Sequence, residues 1–304
     1  MRDNEEGTAV RTAVTATDEA FGLAESPVWD AARRRLLWVD ILAGAVLEGS
    51  LDASRVTIIR RHQVDSLVGA VTATGDGTLL VAAREHLVLL APDGTRADGP
   101  RLVPAGQGRR LNDGSTDPAG RFVVGTLSLE TPSSREALVR LEPDGRITLL
   151  DDDLTLSNGL AWSADGTKMY SVDTLRRTVF VRSYDPAGDA VGPRRVHLRI
   201  SDGLPDGLAA DADEHLWIAV WGAGEVRRYA PDGTLTDRVA VPAPHTSSVA
   251  FAGDDLRSLV VTTAYAELTT EQRQTYPASG RLFTTSVDVP GIPVPRWSGL
   301  PAER

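Results

Sequence analysis

The chain has 304 residues, of which 41% are hydrophobic and 24% charged, the balance of a soluble globular protein. Its 32 basic and 42 acidic residues leave a net charge of −10, a field that repels phosphate backbones and argues against a nucleic-acid partner. There is no cysteine, which excludes disulfides, a thiolate nucleophile and any Cys-type zinc site. Residues Met1–Gly7 are acidic where a secretory leader would be basic and then apolar. No apolar run, Ile41–Leu47 included, approaches the length of a membrane span. A cytoplasmic protein with no membrane partner is expected, with residues 1–10 flexible.

The first strand-like segment, Ala13–Thr17, stands apart from the rest of the chain. After it one unit keeps returning: a short strand, a polar or Gly-rich turn, then a hydrophobic run. The runs begin at Leu36, Leu79, Phe122, Met169, Leu216 and Leu259, spaced 43, 43, 47, 47 and 43 residues apart. Turn signals precede them, among them Asp76-Gly77, Asp165-Gly166 and Asp254-Asp255. A third strand follows each run: Ala45–Leu51, Leu87–Ala91, Ala137–Leu141, Thr178–Tyr184, Glu225–Ala230 and Arg281–Ser286. Fourth strands read at Val56–Arg60, Arg101–Pro104, Ile147–Leu150, Arg195–Leu198 and Arg238–Val241, and the sixth unit lacks one. Four antiparallel strands every ~40–45 residues mark a propeller blade. The fold is therefore all-β: a single six-bladed β-propeller domain over residues 1–304. The spare N-terminal strand completes the last sheet and closes the ring, which leaves no free edge. Two connections are longer than the repeat requires, Leu127–Glu136 and Ala264–Gly280, and such insertions tend to lie at a binding face.

The innermost strands of all blades surround one axis, so equivalent positions at their starts face one another. Counting back 10 or 11 residues from each run gives Glu25, Val68 or Gly69, Asn112, Asn158, Asp206 and Ser248. Four of these six are strong oxygen donors. Two carboxylates and two amides without sulfur or imidazole describe a site for a hard divalent cation. Calcium is the first choice, with zinc, manganese or magnesium as alternatives. Three or four protein oxygens leave the coordination sphere open, which suits Lewis-acid chemistry. Asn158-Gly159 and Asp206-Gly207 would also suit hairpin tips. Each blade already has its hairpin turn some seven residues later, so these glycines need another reason, such as close packing around the axis. Arg110 would stand at the same mouth, Glu130 in the blade-three insertion, and His245 just before the sixth inner strand. Asp40 and Asp173, which end hydrophobic runs, read as turn caps. There is no Gly-x-Ser-x-Gly elbow, His-Glu-x-x-His, phosphate loop or dinucleotide glycine pattern.

In order along the chain, Glu25-Ser-Pro-Val-Trp29, Arg110-Leu-Asn-Asp-Gly114, Asp117-Pro-Ala-Gly-Arg121 with Gly125-Thr126, Ser157-Asn-Gly-Leu160 and Pro205-Asp-Gly207 resemble the gluconolactonase/regucalcin (senescence marker protein) family. The resemblance spans about Gly22 to Trp297. It implies a six-bladed propeller that hydrolyses sugar lactones with one divalent metal. It also implies that Glu25, Asn158 and Asp206 hold the metal, that Arg110 and Asn112 contact substrate, and that Glu130 binds sugar hydroxyls. The sequence departs from the family pattern at His245-Thr-Ser-Ser248 and in the apolar Leu127-Ser-Leu129.

The expected enzyme is thus a metal-dependent lactonase acting on a small-molecule sugar lactone, a monomer. Its cation polarises the lactone carbonyl, and either Asp206 or hydroxide held at the cation serves as base. The alternatives are a phosphotriesterase-like hydrolase on the same open site and a non-catalytic calcium- or ligand-binding propeller.

Overall fold

The computed structural model describes residues 11–300, and the expected flexibility of residues 1–10 falls outside them. Six sheets follow one another along the chain, each with its innermost strand first. Blade one comprises Ala24–Asp30, Arg35–Asp40, Ala45–Asp52 and Arg55–Gln63; blade two comprises Val68–Ala73, Leu79–Ala83, His86–Leu90 and Arg96–Arg101. Blade three is Arg109–Thr116, Phe122–Ser128, Glu136–Leu141 and Ile147–Leu154, and blade four Ser157–Trp162, Lys168–Asp173, Thr178–Ser183 and Arg195–Arg199. Blade five has Leu204–Ala210, Leu216–Trp221, Glu225–Tyr229 and Leu235–Ala240, and blade six Thr246–Ala252, Ser258–Thr263 and Phe283–Ser286. The fourth strand of blade six is Val14–Thr15, antiparallel to Phe283 and Thr284, so the N-terminal segment closes the ring as expected.

The same segment does something the repeat did not announce. Arg11–Thr12 runs parallel to the outer strand of blade five, pairing with Val239 and Ala240, so one short stretch ties two blades together. In blade two the fourth strand is Arg96–Arg101, not Arg101–Pro104. An outermost strand tolerates Pro100, and the register slips between Asp98 and Arg101 to absorb it. The insertion at 264–280 holds a helix, Thr270–Thr275, started by a capping box between Thr269 and Gln272.

Blades adhere through their faces. Six clusters of buried hydrophobic residues occupy the six interfaces between neighbouring blades. Between blades one and two, for example, Leu37, Val39 and Val46 pack on Val71, Val81 and Val88. The last interface, between blades six and one, uses Phe21, Trp38, Leu47 and Val260. Second strands are covered on both faces, which is why they read as continuous apolar runs rather than alternating ones. Each such side chain contributes about 1.5–3 kcal/mol on full burial.

All six inner strands carry a register slip near their starts. It falls between Glu25 and Val28, Val68 and Ala70, Leu111 and Gly114, Ser157 and Leu160, Pro205 and Leu208, and Thr246 and Ser248. A bulge puts an extra residue into one strand and re-aims its side chains. Here the repeated bulge re-aims the residues at the start of each inner strand.

A candidate metal centre at the channel mouth

Pairing with the second strands puts Glu25, Gly69, Asn112, Asn158, Asp206 and Ser247 at equivalent positions around the axis. In blade six the residue at this position is Ser247 rather than Ser248. The four donors and Arg110 are all buried, between 4% and 7% exposed.

Each strand start is fixed locally. Asp40 accepts the backbone N–H groups of Gly22 and Leu23, at 3.2 Å each, and so caps the turn into the Glu25 strand. Asp173 does the same for Thr155 and Leu156 ahead of Asn158. The glycines beside the donors are required by close approach. A Cβ on Gly159 would lie 2.5 Å from the Leu208 amide nitrogen, and one on Gly207 would lie 2.0 Å from Ser248 Oγ.

A chain of hydrogen bonds links blades three, four and five. Arg110 Nη1 donates to Asn112 Oδ1 (2.7 Å) and to the Leu111 carbonyl (2.9 Å). Asn112 Nδ2 donates to the Ser157 carbonyl (2.8 Å) and reaches Asn158 Oδ1 (3.3 Å). Asn158 Nδ2 donates to Thr174 Oγ1 (3.0 Å), whose hydroxyl donates to the Pro205 carbonyl (2.8 Å). The oxygen of Asn112 is therefore engaged by Arg110, whereas Asn158 has committed its N–H and presents its oxygen. Glu25 Oε2 accepts the Ser26 amide (2.9 Å), and Asp206 Oδ1 is buried without a partner.

The charges do not balance. Burial, and then the nearby Asp113, push the Glu25 carboxyl up to about 8. Burial, then Glu25 and Asp113, push Asp206 well above the carboxylate range, with Arg110 acting in the opposite sense. Asp113 itself is pushed up to about 6 by burial. Burial pulls Arg110 down to about 10 although Glu25 and Asp206 both face it. Three acids thus stand in a poorly solvated space where one guanidinium acts on only two of them, Glu25 and Asp206, and such an excess of buried negative charge is costly unless a cation joins it. Among the described residues no three His, Cys, Asp or Glu side chains are grouped so as to hold an ion by themselves. A cation here needs an amide oxygen as its third ligand, and Asn158 presents one. The oxygen-only donor set and the unpartnered Asp206 Oδ1 fit a hard divalent ion.

Asp113 is the residue that sequence reasoning missed. Strict strand alternation turns it away from Asn112, and only the bulge brings both to the axis. The other singled-out residues lie around the mouth. Glu130 is exposed, and its carboxylate lies over Gly108, where an added Cβ would come within 2.8 Å of it. The blade-three insertion is anchored there by Leu129 N–H to the Gly108 carbonyl (2.7 Å), at the same end of the channel as the donors. The blade-six insertion is at this end too, with Ala264 bridged to Leu23. His245 stacks flat on Trp221 (4.2 Å between centroids), and its Nδ1 meets the Ala266 carbonyl at 3.1 Å, so it braces that insertion. Behind the donors the channel widens into a cavity of about 520 Å³. Ser26, Asp113 and Ser248 line it on the donor side, and residues 292–296 cross it on the other.

Comparison with known proteins agrees with this architecture. Residues 23–265 match the model of the SMP-30/Gluconolactonase/LRE-like region, and the chain belongs to that family. It is 35% identical to a pentonolactonase of Haloferax volcanii over 293 residues, 93% of this chain and 97% of that one. It is 34% identical to a 6-deoxy-6-sulfogluconolactonase of Pseudomonas putida over 282 residues, 91% of this chain and 95% of the relative. The crystal structure of regucalcin, a calcium-binding protein of Agrobacterium tumefaciens, superposes with a TM-score of 0.88 at 28% identity, covering 95% of this chain and 98% of that one.

Proposed function

We propose that the protein is a divalent-metal-dependent hydrolase that opens sugar lactones. The observation that carries this reading is the buried acidic cluster at the axis, with Asp206 Oδ1 unpartnered and Arg110 beside it. Glu25, Asn158 and Asp206 would hold the cation, calcium first because every donor is a hard oxygen. When bound, the cation supplies Lewis-acid polarisation of the lactone carbonyl. Arg110, immobilised by Asn112 and the Leu111 carbonyl, orients a substrate oxygen and meets the negative charge that develops on it. Asp206 Oδ1 takes the proton of the attacking water. The acyl carbon gains a C–O bond, the ring C–O bond breaks, and the ring oxygen takes the proton back from Asp206 and leaves as a hydroxyl, giving a hydroxy acid. Glu130, on the exposed rim, reads sugar hydroxyls. The lactonase relatives, aligned over nearly their whole length, support the reaction and the substrate class.

The test is acid release from a panel of aldonolactones by chelator-stripped protein, with calcium, magnesium, manganese and zinc restored singly. Turnover is expected only with metal, and Asp206→Ala should lower it by about 10²–10⁴-fold, the usual worth of a proton-transfer group. Activity of that variant within a few-fold of the parent would remove Asp206 from its role. Organophosphate turnover without lactone turnover would move the enzyme to phosphotriester chemistry. Metal binding with no turnover of either would make it a binding propeller.

A further inference from the structure

At the donor end of each blade the inner strand starts beside the end of the second strand. Ala24 pairs with Asp40, Val68 with Ala83, Leu111 with Thr126, Ser157 with Asp173, Pro205 with Val220 and Thr246 with Thr263. The residues that follow these partners are therefore equivalent: Ile41, Arg84, Leu127, Thr174, Trp221 and Ala264. Only Thr174 carries a hydroxyl, and that hydroxyl is bonded to Asn158.

Thr174 is 4% exposed, and its side chain links blade four to blade five. A hydroxyl has one proton to give. Here it goes to the Pro205 carbonyl (2.8 Å), one residue before Asp206, so the Thr174 oxygen is left to act only as an acceptor. The two ends of the Asn158 amide are nearly alike in shape, but only the Nδ2 end can donate. An acceptor at 3.0 Å therefore takes Nδ2 and leaves Oδ1 on the other side of the amide. Asn112 Nδ2 favours the same orientation from blade three, but at 3.3 Å that contact is the longer one, and its short bond (2.8 Å) goes to the Ser157 carbonyl.

The backbone of Thr174 is held separately. Its N–H donates to the Leu156 carbonyl (3.1 Å), and its own carbonyl accepts the Arg177 amide (2.9 Å). The turn thus does not depend on the hydroxyl, whose bonds serve Asn158 and Pro205. Branching at Cβ restricts χ1 and keeps the hydroxyl in one place.

We propose that Thr174 is a positioning residue for the cation site: its hydroxyl, committed to the Pro205 carbonyl, fixes the Asn158 amide with Oδ1 free to be a ligand. An amide turned over would offer an NH₂ group to the cation, and a ligand would become a repulsive dipole. The same hydroxyl joins the side chain of Asn158 to the backbone that leads into Asp206, so it couples two ligands from neighbouring blades. This role rests on the metal-dependent reading above. Outer partners of metal ligands commonly set affinity by about 10–100-fold.

The experiment is calorimetric titration of the full-length, chelator-stripped protein with calcium chloride, together with the thermal midpoint of the metal-free protein. Thr174→Val keeps the volume and the branching but not the hydroxyl, and should weaken calcium binding by about 10–100-fold. Thr174→Ala removes the hydroxyl without placing a methyl group against the Asn158 amide, and should show the same loss even if the valine variant folds poorly. Both should lower the metal-free midpoint, because Asn158 Nδ2 and the Pro205 carbonyl lose a buried partner. Thr174→Ser restores the hydroxyl with a less restricted χ1 and should recover most of the affinity. A purely structural role would lower the midpoint alone. Parent-like calcium affinity in the valine or alanine variant, or a serine variant as weak as these two, would overturn the role and leave the metal reading intact. A parent protein that binds none of calcium, magnesium, manganese or zinc would sink both.

Discussion

Blades three, four and five differ from blades two and six at one register position, and the difference makes the site. The first group puts Asn112, Asn158 and Asp206 on the axis, and hydrogen bonds run from blade to blade through Asn112, Asn158 and Thr174 to the Pro205 carbonyl beside Asp206. The second group has Gly69, with no side chain, and Ser247, whose hydroxyl is occupied by the Ala24 carbonyl (2.6 Å) and Thr262. The backbone bulge is the same in all six blades. Symmetry therefore supplies the platform, and local departures from it give the donors a one-sided arrangement in which Glu25, on blade one, faces the other three. Function here is written in the exceptions to the repeat.

That contrast can be broken directly. Gly69→Asp would offer a fifth donor, but its Cβ would fall 2.5 Å from the Asn112 carbonyl. Overpacking of this kind costs about 1–3 kcal/mol, and the buried charge adds to it. The expected result is a midpoint lower by several degrees and loss of lactone turnover through displaced Asn112. Unchanged stability and improved metal affinity would show that blade two is free to carry a ligand.

A second contrast is between protonated and metal-loaded states of the same cluster. Glu25 is raised from 4.5 to about 8 and Asp113 from 3.8 to about 6. Groups raised on folding stabilise the protein below their unfolded values and lose that contribution as the pH climbs through the folded ones. In chelator, stability should therefore decline between pH 5 and pH 8. Glu48, held down to about 2 by His62 and Arg35, works in the opposite sense but below this window. Calcium competes with the protons, so the stabilisation it gives should grow across the same range. Midpoints at pH 5 and 8, with and without calcium, test both statements; a metal-free midpoint that is flat or rising would contradict the electrostatic account.

The smallest effect belongs to blade six. Ser247→Ala deletes one buried hydroxyl, worth about 0.5–1.5 kcal/mol, and leaves the Ala24 carbonyl short of a donor. A small fall in midpoint with turnover within a few-fold of the parent is expected. A loss comparable to that of Asp206→Ala would place Ser247 among the donors after all.

The ring and its closure were legible because a blade repeats six times, and each apolar run reinforces its neighbours. Glu25, Asn112, Asn158 and Asp206 could be located for the same reason, since periodicity alone brings equivalent positions together. What depended on irregular geometry was hidden. Asp113 emerges only once the bulge is known, and the left-handed turn at Ser26 has no glycine to announce it. The outer strand of blade two lies at Arg96–Arg101 rather than Arg101–Pro104, because an edge strand tolerates Pro100 and its register slip has no counterpart in the repeat. The helix at Thr270–Thr275 left a signal in Thr269 and Gln272 that a β-rich context obscured.

The N-terminal pairings also bear on how such a chain is made. Thr17 accepts a hydrogen bond from the amide of Leu282, 265 residues away, and Val14–Thr15 pairs with Phe283 and Thr284, in a strand made after those of the other five blades. Blades can form one after another as they emerge, but the assembly stays an open crescent until that last strand arrives. Meanwhile Phe21 and Trp38 lack the blade-six surface that finally covers them. Substitutions at the seam should therefore reduce the yield of folded protein before they alter anything measurable in molecules whose ring has closed.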